Sequence, residues 1–177
     1  MGIQMNILKV VVTGPESTGK TRLASELALF FGTVWVPEYA REYISGLSHK
    51  YRYDDVESIA REQINQEKNL LPKANGILFY DTDLIVTKVW FKVVFGKYPE
   101  WIDSVIINSP ADLYLVCDTD IPWVPDPVRE NGGRMRDVLM GMYIDEIESA
   151  GSSWRKISGT GKVRTNNAIR VVKNFHK

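Results

Sequence analysis

Residues 14–21 read Gly-Pro-Glu-Ser-Thr-Gly-Lys-Thr, which satisfies G-x-x-x-x-G-K-[ST], the spacing of a phosphate-binding loop. Triphosphate oxygens need many short N–H donors. Gly14 and Gly19 let the backbone of Glu16, Ser17 and Thr18 curl so that its N–H groups point inward, and the start of the following helix adds a favourable dipole. Lys20 is expected to reach the β- and γ-phosphates, and the Thr21 hydroxyl to bind Mg2+. The alternative is a glycine turn that caps a helix, with Lys20 as a surface cation. The flanks favour the phosphate loop: the β-branched run Ile7 to Val12 reads as a buried strand, and Leu23, Leu27 and Phe30 follow at helical spacing.

Two further strand ends carry acids. Glu38 stands just past the second apolar stretch. A carboxylate there can accept the proton of an attacking hydroxyl. It can equally cap the next helix, or pair with Arg41 or Arg61, and spacing alone does not separate these. Arg41 reads as an acceptor ligand or as a solvated helix residue. Tyr80-Asp81-Thr82-Asp83 closes the third strand. An acid there is the Walker B arrangement, which holds Mg2+ directly or through water. Asp81 is the metal-side candidate because it directly ends the strand, whereas Asp83 either contacts an acceptor or caps the following helix. The segment 121–137 carries Trp123, Asp126, Arg129, Arg134 and Arg136 among prolines and glycines. It suits a mobile lid that closes on the phosphates, excludes water and brings guanidinium charge, Arg129 foremost, to the transferring group. Alternatively those arginines pair with Asp126, Glu130 and Asp137 on a solvated loop. Gly159-Thr160-Gly161 either packs on an adenine ring or turns a strand into a helix.

The elements that must hold these groups alternate along the chain. Strands are expected at 7–12, 33–36, 77–80, 113–117 and 154–157, and helices after the phosphate loop and over 54–71, 83–95, 100–107, 136–150 and 163–175. That succession predicts an α/β protein of three layers, a P-loop NTPase fold with a parallel five-stranded sheet between helices and the ligand at the carboxyl edge of the strands. The 177 residues suit one domain, with the lid at about 121–137. The chain carries 22 basic and 22 acidic side chains and no Lys/Arg tract, which argues against nucleic acid as a partner. Cys117, the single cysteine, lies in an apolar run and reads as a buried small hydrophobe; with only two histidines, a structural zinc site is not expected. No leader pattern and no 18-residue apolar stretch is visible, so no membrane association and a cytoplasmic location are expected. Trp90, Phe91, Val94 and Phe95 read as core, and His49 and His176 as surface residues.

Four blocks together resemble the kinase domain of NadR-type proteins: Gly14 to Thr21, Glu38-Tyr39-Ala40-Arg41-Glu42-Tyr43, Asp81-Thr82-Asp83, and Pro122-Trp123-Val124-x-Asp126-x-x-Arg129. Those proteins are ribosylnicotinamide kinases, which phosphorylate nicotinamide riboside with ATP. The resemblance runs from about Lys9 to Ser158. It implies an ATP site at Gly14 to Thr21, an acceptor pocket built from the Glu38 and Asp81 strand ends, and a lid that includes Arg129. It also favours Arg41 and Asp126 as site residues. In some members an aromatic residue precedes the Glu-Tyr-x-Arg block and holds the flat ring. Pro37 stands here, so ring contact would come from Tyr39, Trp123 or elsewhere, or the acceptor differs. The larger members also carry an adenylyltransferase domain and a DNA-binding segment, for which this chain is too short.

The expected function is therefore ATP- and Mg2+-dependent phosphoryl transfer to a small nucleoside, nicotinamide riboside first. The rivals are a kinase for another nucleoside or small alcohol, and a regulatory ATP-binding module that hydrolyses ATP slowly. A GTPase is disfavoured because no Asn-Lys-x-Asp element is present. Replacing Lys20 by alanine should lower turnover by about a hundredfold or more while leaving the thermal midpoint nearly unchanged, since the ammonium serves charge development rather than folding. Steady-state kinetics beside a melting curve check this.

Overall fold

The computed structural model describes residues 7–126 and 128–175, and His176 lies outside them. Five parallel strands form one sheet: β1 (Leu8–Thr13), β2 (Trp35–Val36), β3 (Ile77–Asp81), β4 (Leu113–Cys117) and β5 (Ser153–Ile157), in the order β2-β3-β1-β4-β5. Seven α-helices are described: α1 (Lys20–Phe31), α2 (Tyr39–Ser45), α3 (Tyr53–Leu70), α4 (Leu84–Phe95), α5 (Trp101–Asn108), α6 (Met135–Ser149) and α7 (Gly161–Phe175). The expected three-layer α/β architecture is the one observed.

Strand parity decides which helix each side chain meets. Val10 and Val12 of β1, Ile77 and Phe79 of β3 and Leu113, Leu115 and Cys117 of β4 share one face with Leu23 and Leu27 of α1 and Ala168 and Val172 of α7. Their neighbours Val11, Leu78, Tyr80, Tyr114 and Val116 point to the other face and meet Ile85 of α4 and Ile147 of α6. Both faces are covered, so β3 and β4 are buried from end to end. Each fully buried aliphatic side chain contributes about 1.5–3 kcal/mol to this core. A third cluster fixes α3 and α5 on the outer side of α4 through Val56, Ala60, Phe91 and Ile102.

The edges differ from the centre. β2 has two residues rather than the four expected: at Thr33 the hydroxyl donates to the Ile77 carbonyl at 2.6 Å and accepts the Asn75 N–H at 2.9 Å in place of a ladder bond, while the Val34 carbonyl accepts the Phe79 N–H at a long 3.4 Å. β5 exposes Arg155 and Lys156, charges that discourage pairing with another chain. α2 carries no buried residue and so leaves no apolar period in the sequence.

The carboxyl ends of β1 and β4 meet at Gly14. Its φ is +138°, and a Cβ there would lie 2.8 Å from the Cys117 carbonyl oxygen. The loop can turn across the strand end only because that atom is missing. Cys117 is fully buried, and burial pushes its thiol up to about 11. Gly14→Ala should cost about 2–4 kcal/mol by combining backbone strain with overpacking. Gly141 is an internal control, since it sits within α6 with open space around its Cβ position. Gly141→Ala should stabilise by roughly 0.4–1 kcal/mol. Urea denaturation of both variants tests the pair.

Candidate active site

The phosphate loop ends in Gly19, which is left-handed at φ +76° and stands at the N-cap of α1. No side chain caps this helix and no acid occupies its first turn. The first N–H groups of α1 and its positive dipole end are therefore available to an anion. Ser17, a residue other than glycine, is also left-handed, at φ +57°. The Lys20 ammonium rests 3.0 Å from the Pro15 carbonyl, folded back along the loop. From behind, Arg164 of α7, only 3 % exposed, donates to the carbonyls of Thr18, Asp118 and Gly159 and pairs with Asp120. Arg136 of α6, 6 % exposed, donates to the carbonyl of Ile121 at 2.9 Å and reaches the Ser17 carbonyl of the phosphate loop at 3.5 Å. Both brace the loop, and neither is marked in the sequence as a buried arginine.

β3 delivers Asp81 beside the loop. The Thr21 hydroxyl donates to Asp81 Oδ2 at 2.6 Å. Asp81 is 0 % exposed, and its Oδ1 has no hydrogen-bond partner among the described residues. Burial, with the Glu38 charge added, pushes its carboxyl up to about 6, against the pull of Lys20, the Thr21 bond and Arg41. An orphaned buried carboxylate oxygen beside a hydroxyl fits Mg2+, which takes one or two protein oxygens and completes its shell with water and phosphate. Among the described residues no group of three or more His, Cys, Asp or Glu side chains could hold a metal alone. Thr82, next along, is β-branched, 5 % exposed and left-handed at φ +66°. Such a conformation costs about 1–3 kcal/mol. It persists here because the Thr82 N–H bonds the Val12 carbonyl at 3.0 Å and its own carbonyl receives Gln63 at 3.2 Å.

The loop opens into a cleft of about 620 Å³ lined by Lys20 and Thr21. Glu38 lines it. Neither a capping bond nor an ion pair engages Glu38 among the described residues. It sits at the N-cap of α2 without a capping bond, Arg41 pairs with Asp126 at 2.8 Å, and Arg61 pairs with Glu57 at 2.6 Å. Among the described residues no hydrogen bond reaches the Glu38 carboxylate. The far wall comes from Tyr51, Gln63, Val86, Thr87, Trp90 and Tyr143. Tyr51 and Trp90 meet edge to face with ring centroids 4.9 Å apart. The expected aromatic core is thus divided: Phe91 is fully buried and Phe95 packs on its cluster, whereas Trp90 and Val94 face the cleft. The signal was present in α4, which is apolar on two sides and must bury both.

The loop between β4 and α6 lies against the phosphate loop, and Arg129 lines the cleft. Its Nη1 donates to the Val124 carbonyl at 2.7 Å, while Asp126 stands 4.0 Å away.

Several expected contacts lie elsewhere. Asp83 corrects the acceptor-contact expectation: it caps α4 through the Ile85 N–H at 3.1 Å and receives the Tyr114 hydroxyl at 2.5 Å, outside the cleft. Burial pushes its carboxyl up to about 6. Asp126 braces the lid against Arg41. Trp123 donates its indole N–H to Glu16 at 3.3 Å and packs under Gly132. Tyr39 faces Tyr43, with centroids 5.9 Å apart, and takes no part in the cleft wall. Arg134 is exposed at the N-cap of α6. Gly159 turns β5 into α7, with its N–H on Asp120 and its carbonyl on Arg164.

A family model described as AAA domain matches residues 9–164. The trifunctional NAD biosynthesis/regulator protein NadR of Salmonella typhimurium is 30 % identical over 144 residues, a match that covers 78 % of this chain and 35 % of the relative. This chain thus spans about a third of that relative's length. A NadR protein solved in complex with NAD and AMP-PNP superposes with a TM-score of 0.75 at 26 % identity, over 96 % of this chain and 49 % of that one. A NadR protein in complex with NR gives 0.76 at 24 % identity over the same shares, a likeness of fold.

Asp81 gives a pH dependence of defined sign. Its carboxyl ionises at about 6 in the fold against an ordinary value of 3.8. A raised folded value means that the protonated form is favoured by folding, so the contribution is full below 3.8 and is lost as pH rises through about 6. Ionisation at neutral pH costs roughly 3 kcal/mol. Asp81→Asn, neutral at every pH, escapes this cost. In nucleotide-free buffer with EDTA, the wild type should gain about 2 kcal/mol on the variant between pH 7.5 and 4.5. Urea melts across that range should show the gap moving, and a constant gap would contradict the assignment.

Proposed function

The chain belongs to the AAA domain family, and we propose that it is an ATP-dependent kinase that transfers the γ-phosphoryl group to a primary ribose hydroxyl, with nicotinamide riboside as the acceptor. The observation that carries this is a free carboxylate facing an anion-ready loop across one cleft. Glu38 has no partner among the described residues and lines the same cleft as Lys20 and Thr21, together with the aromatic pair Tyr51 and Trp90. A module that only binds or hydrolyses ATP needs the loop but not a free carboxylate and an aromatic pair in the same cleft. The solved NadR complexes with NR and with AMP-PNP support the acceptor and the donor in turn.

Transfer then divides among the residues as follows. The N–H groups of the loop and the start of α1 bind the phosphates. Lys20 leaves the Pro15 carbonyl to meet the β- and γ-oxygens and stays with them as charge develops. Thr21 and Asp81 are the residues that would hold Mg2+, which when bound neutralises phosphate charge. Glu38 orients the acceptor hydroxyl and accepts its proton. Asp81 is less suited to that task because one of its oxygens is engaged by Thr21. Arg129 approaches the phosphoryl group from the lid, and the lid excludes water. Tyr51 and Trp90, rather than Tyr39 or Trp123, offer the flat apolar surface that Pro37 lacks.

The test is a panel of nucleosides mixed with protein and Mg-ATP. ADP release that depends on nicotinamide riboside is expected, and Glu38→Gln should lower kcat by about a hundredfold or more with the ATP KM nearly unchanged. Release with a different nucleoside would reassign the acceptor, and acceptor-independent hydrolysis alone would make the chain a regulatory ATPase.

A further inference from the structure

Glu16 is the single acid of the phosphate loop, set where a bound triphosphate makes an uncovered carboxylate costly. Its oxygens accept four N–H groups from the loop that follows β4. Oε1 takes the Glu130 backbone at 3.1 Å and the Asn131 side chain at 3.2 Å, and Oε2 takes the Asn131 backbone at 3.0 Å and the Trp123 indole at 3.3 Å. The neighbouring Ser17 adds a bond from the Val124 N–H at 3.2 Å. Glu130 is the junction. Its N–H lies on Glu16, and its carboxylate receives the Tyr51 hydroxyl at 2.7 Å from the opposite wall of the cleft.

We propose that Glu16 is a positioning residue that draws the lid onto the donor loop, and that Glu130 carries this closure across to Tyr51. The catalytic consequence rests on the kinase assignment above, but the latch itself does not. Bonds from N–H groups to a carboxylate are among the stronger neutral-to-charged contacts. A polyphosphate beside Glu16 raises the cost of leaving that carboxylate uncovered, and the lid N–H groups are what cover it. Donor binding therefore shifts the loop toward its closed arrangement. Closure holds Arg129 over the cleft and keeps water from the phosphoryl group.

Two variants and two measurements test this. Glu16→Ala removes every accepting oxygen, whereas Glu16→Gln keeps the length but turns an NH2 toward the lid donors. In nucleotide-free protein, trypsin cleavage after Arg129 and Arg134 is measured relative to cleavage after the exposed Lys68 of α3. This ratio should rise about tenfold in Glu16→Ala and by less in Glu16→Gln. It should rise about threefold in Tyr51→Phe, which loses only the hydroxyl. An unchanged ratio in Glu16→Ala overturns the latch whether or not the chain is a kinase, and an unchanged ratio in Tyr51→Phe detaches the acceptor wall from it. With Mg-ATP and nicotinamide riboside, Glu16→Ala should lower kcat about tenfold, leave the ATP KM within about twofold, and raise the share of ADP formed without acceptor. A merely structural role would not move that share. Faster cleavage with kcat and coupling unchanged overturns the positioning role. A wild type that phosphorylates no nucleoside removes the kinase assignment instead, and the protease ratio still decides the latch.

Discussion

A carboxylate sealed from water governs the centre of this molecule. Asp81 is 0 % exposed, one oxygen is held by Thr21 and the other by nothing among the described residues. Burying a charge with half of its hydrogen bonding unmet is costly. Much else follows from keeping Asp81 there. β3 must be the strand beside β1, so that its end reaches the first turn of α1. Thr82 must take a left-handed backbone to lead the chain away. Glu38, on the neighbouring strand end, adds a second negative charge that only a cation or a phosphate-bound metal can offset.

The phosphate loop faces a related constraint. Gly14 crosses the end of β4 so closely that a Cβ would collide with the Cys117 carbonyl. Behind the loop, Arg164 and Arg136 spend buried guanidinium groups on backbone carbonyls. Those arginines hold the carbonyls turned back and leave the N–H side for an anion. The loop is thus organised ahead of an anionic ligand.

Much of this was written locally. The phosphate loop is contiguous, β1, β3 and β4 announce themselves as short apolar runs, and the acid that closes β3 follows its strand directly. Other features were invisible for identifiable reasons. α2 buries nothing and so has no periodic signature. Thr33 replaces a ladder bond with its hydroxyl, which shortens β2. Tyr51 and Trp90 are far apart in sequence, and α4 looks like a core helix until its second apolar side is seen to face the cleft. Asp83 matched the acceptor role as well as the capping role by type, and only the position of the Tyr114 hydroxyl separated them.

The linear order of residues by itself determined the class of chemistry, because a phosphate cradle, its lysine and its hydroxyl are neighbours along one turn of backbone. The three-dimensional packing decided which acid is free. Glu38 is left without an ion pair among the described residues because Asp126 captures Arg41 and Glu57 captures Arg61, across distances that no local pattern encodes. Short-range roles are set by covalent spacing, whereas the availability of a charged group is set by every other group that competes for it in the folded chain.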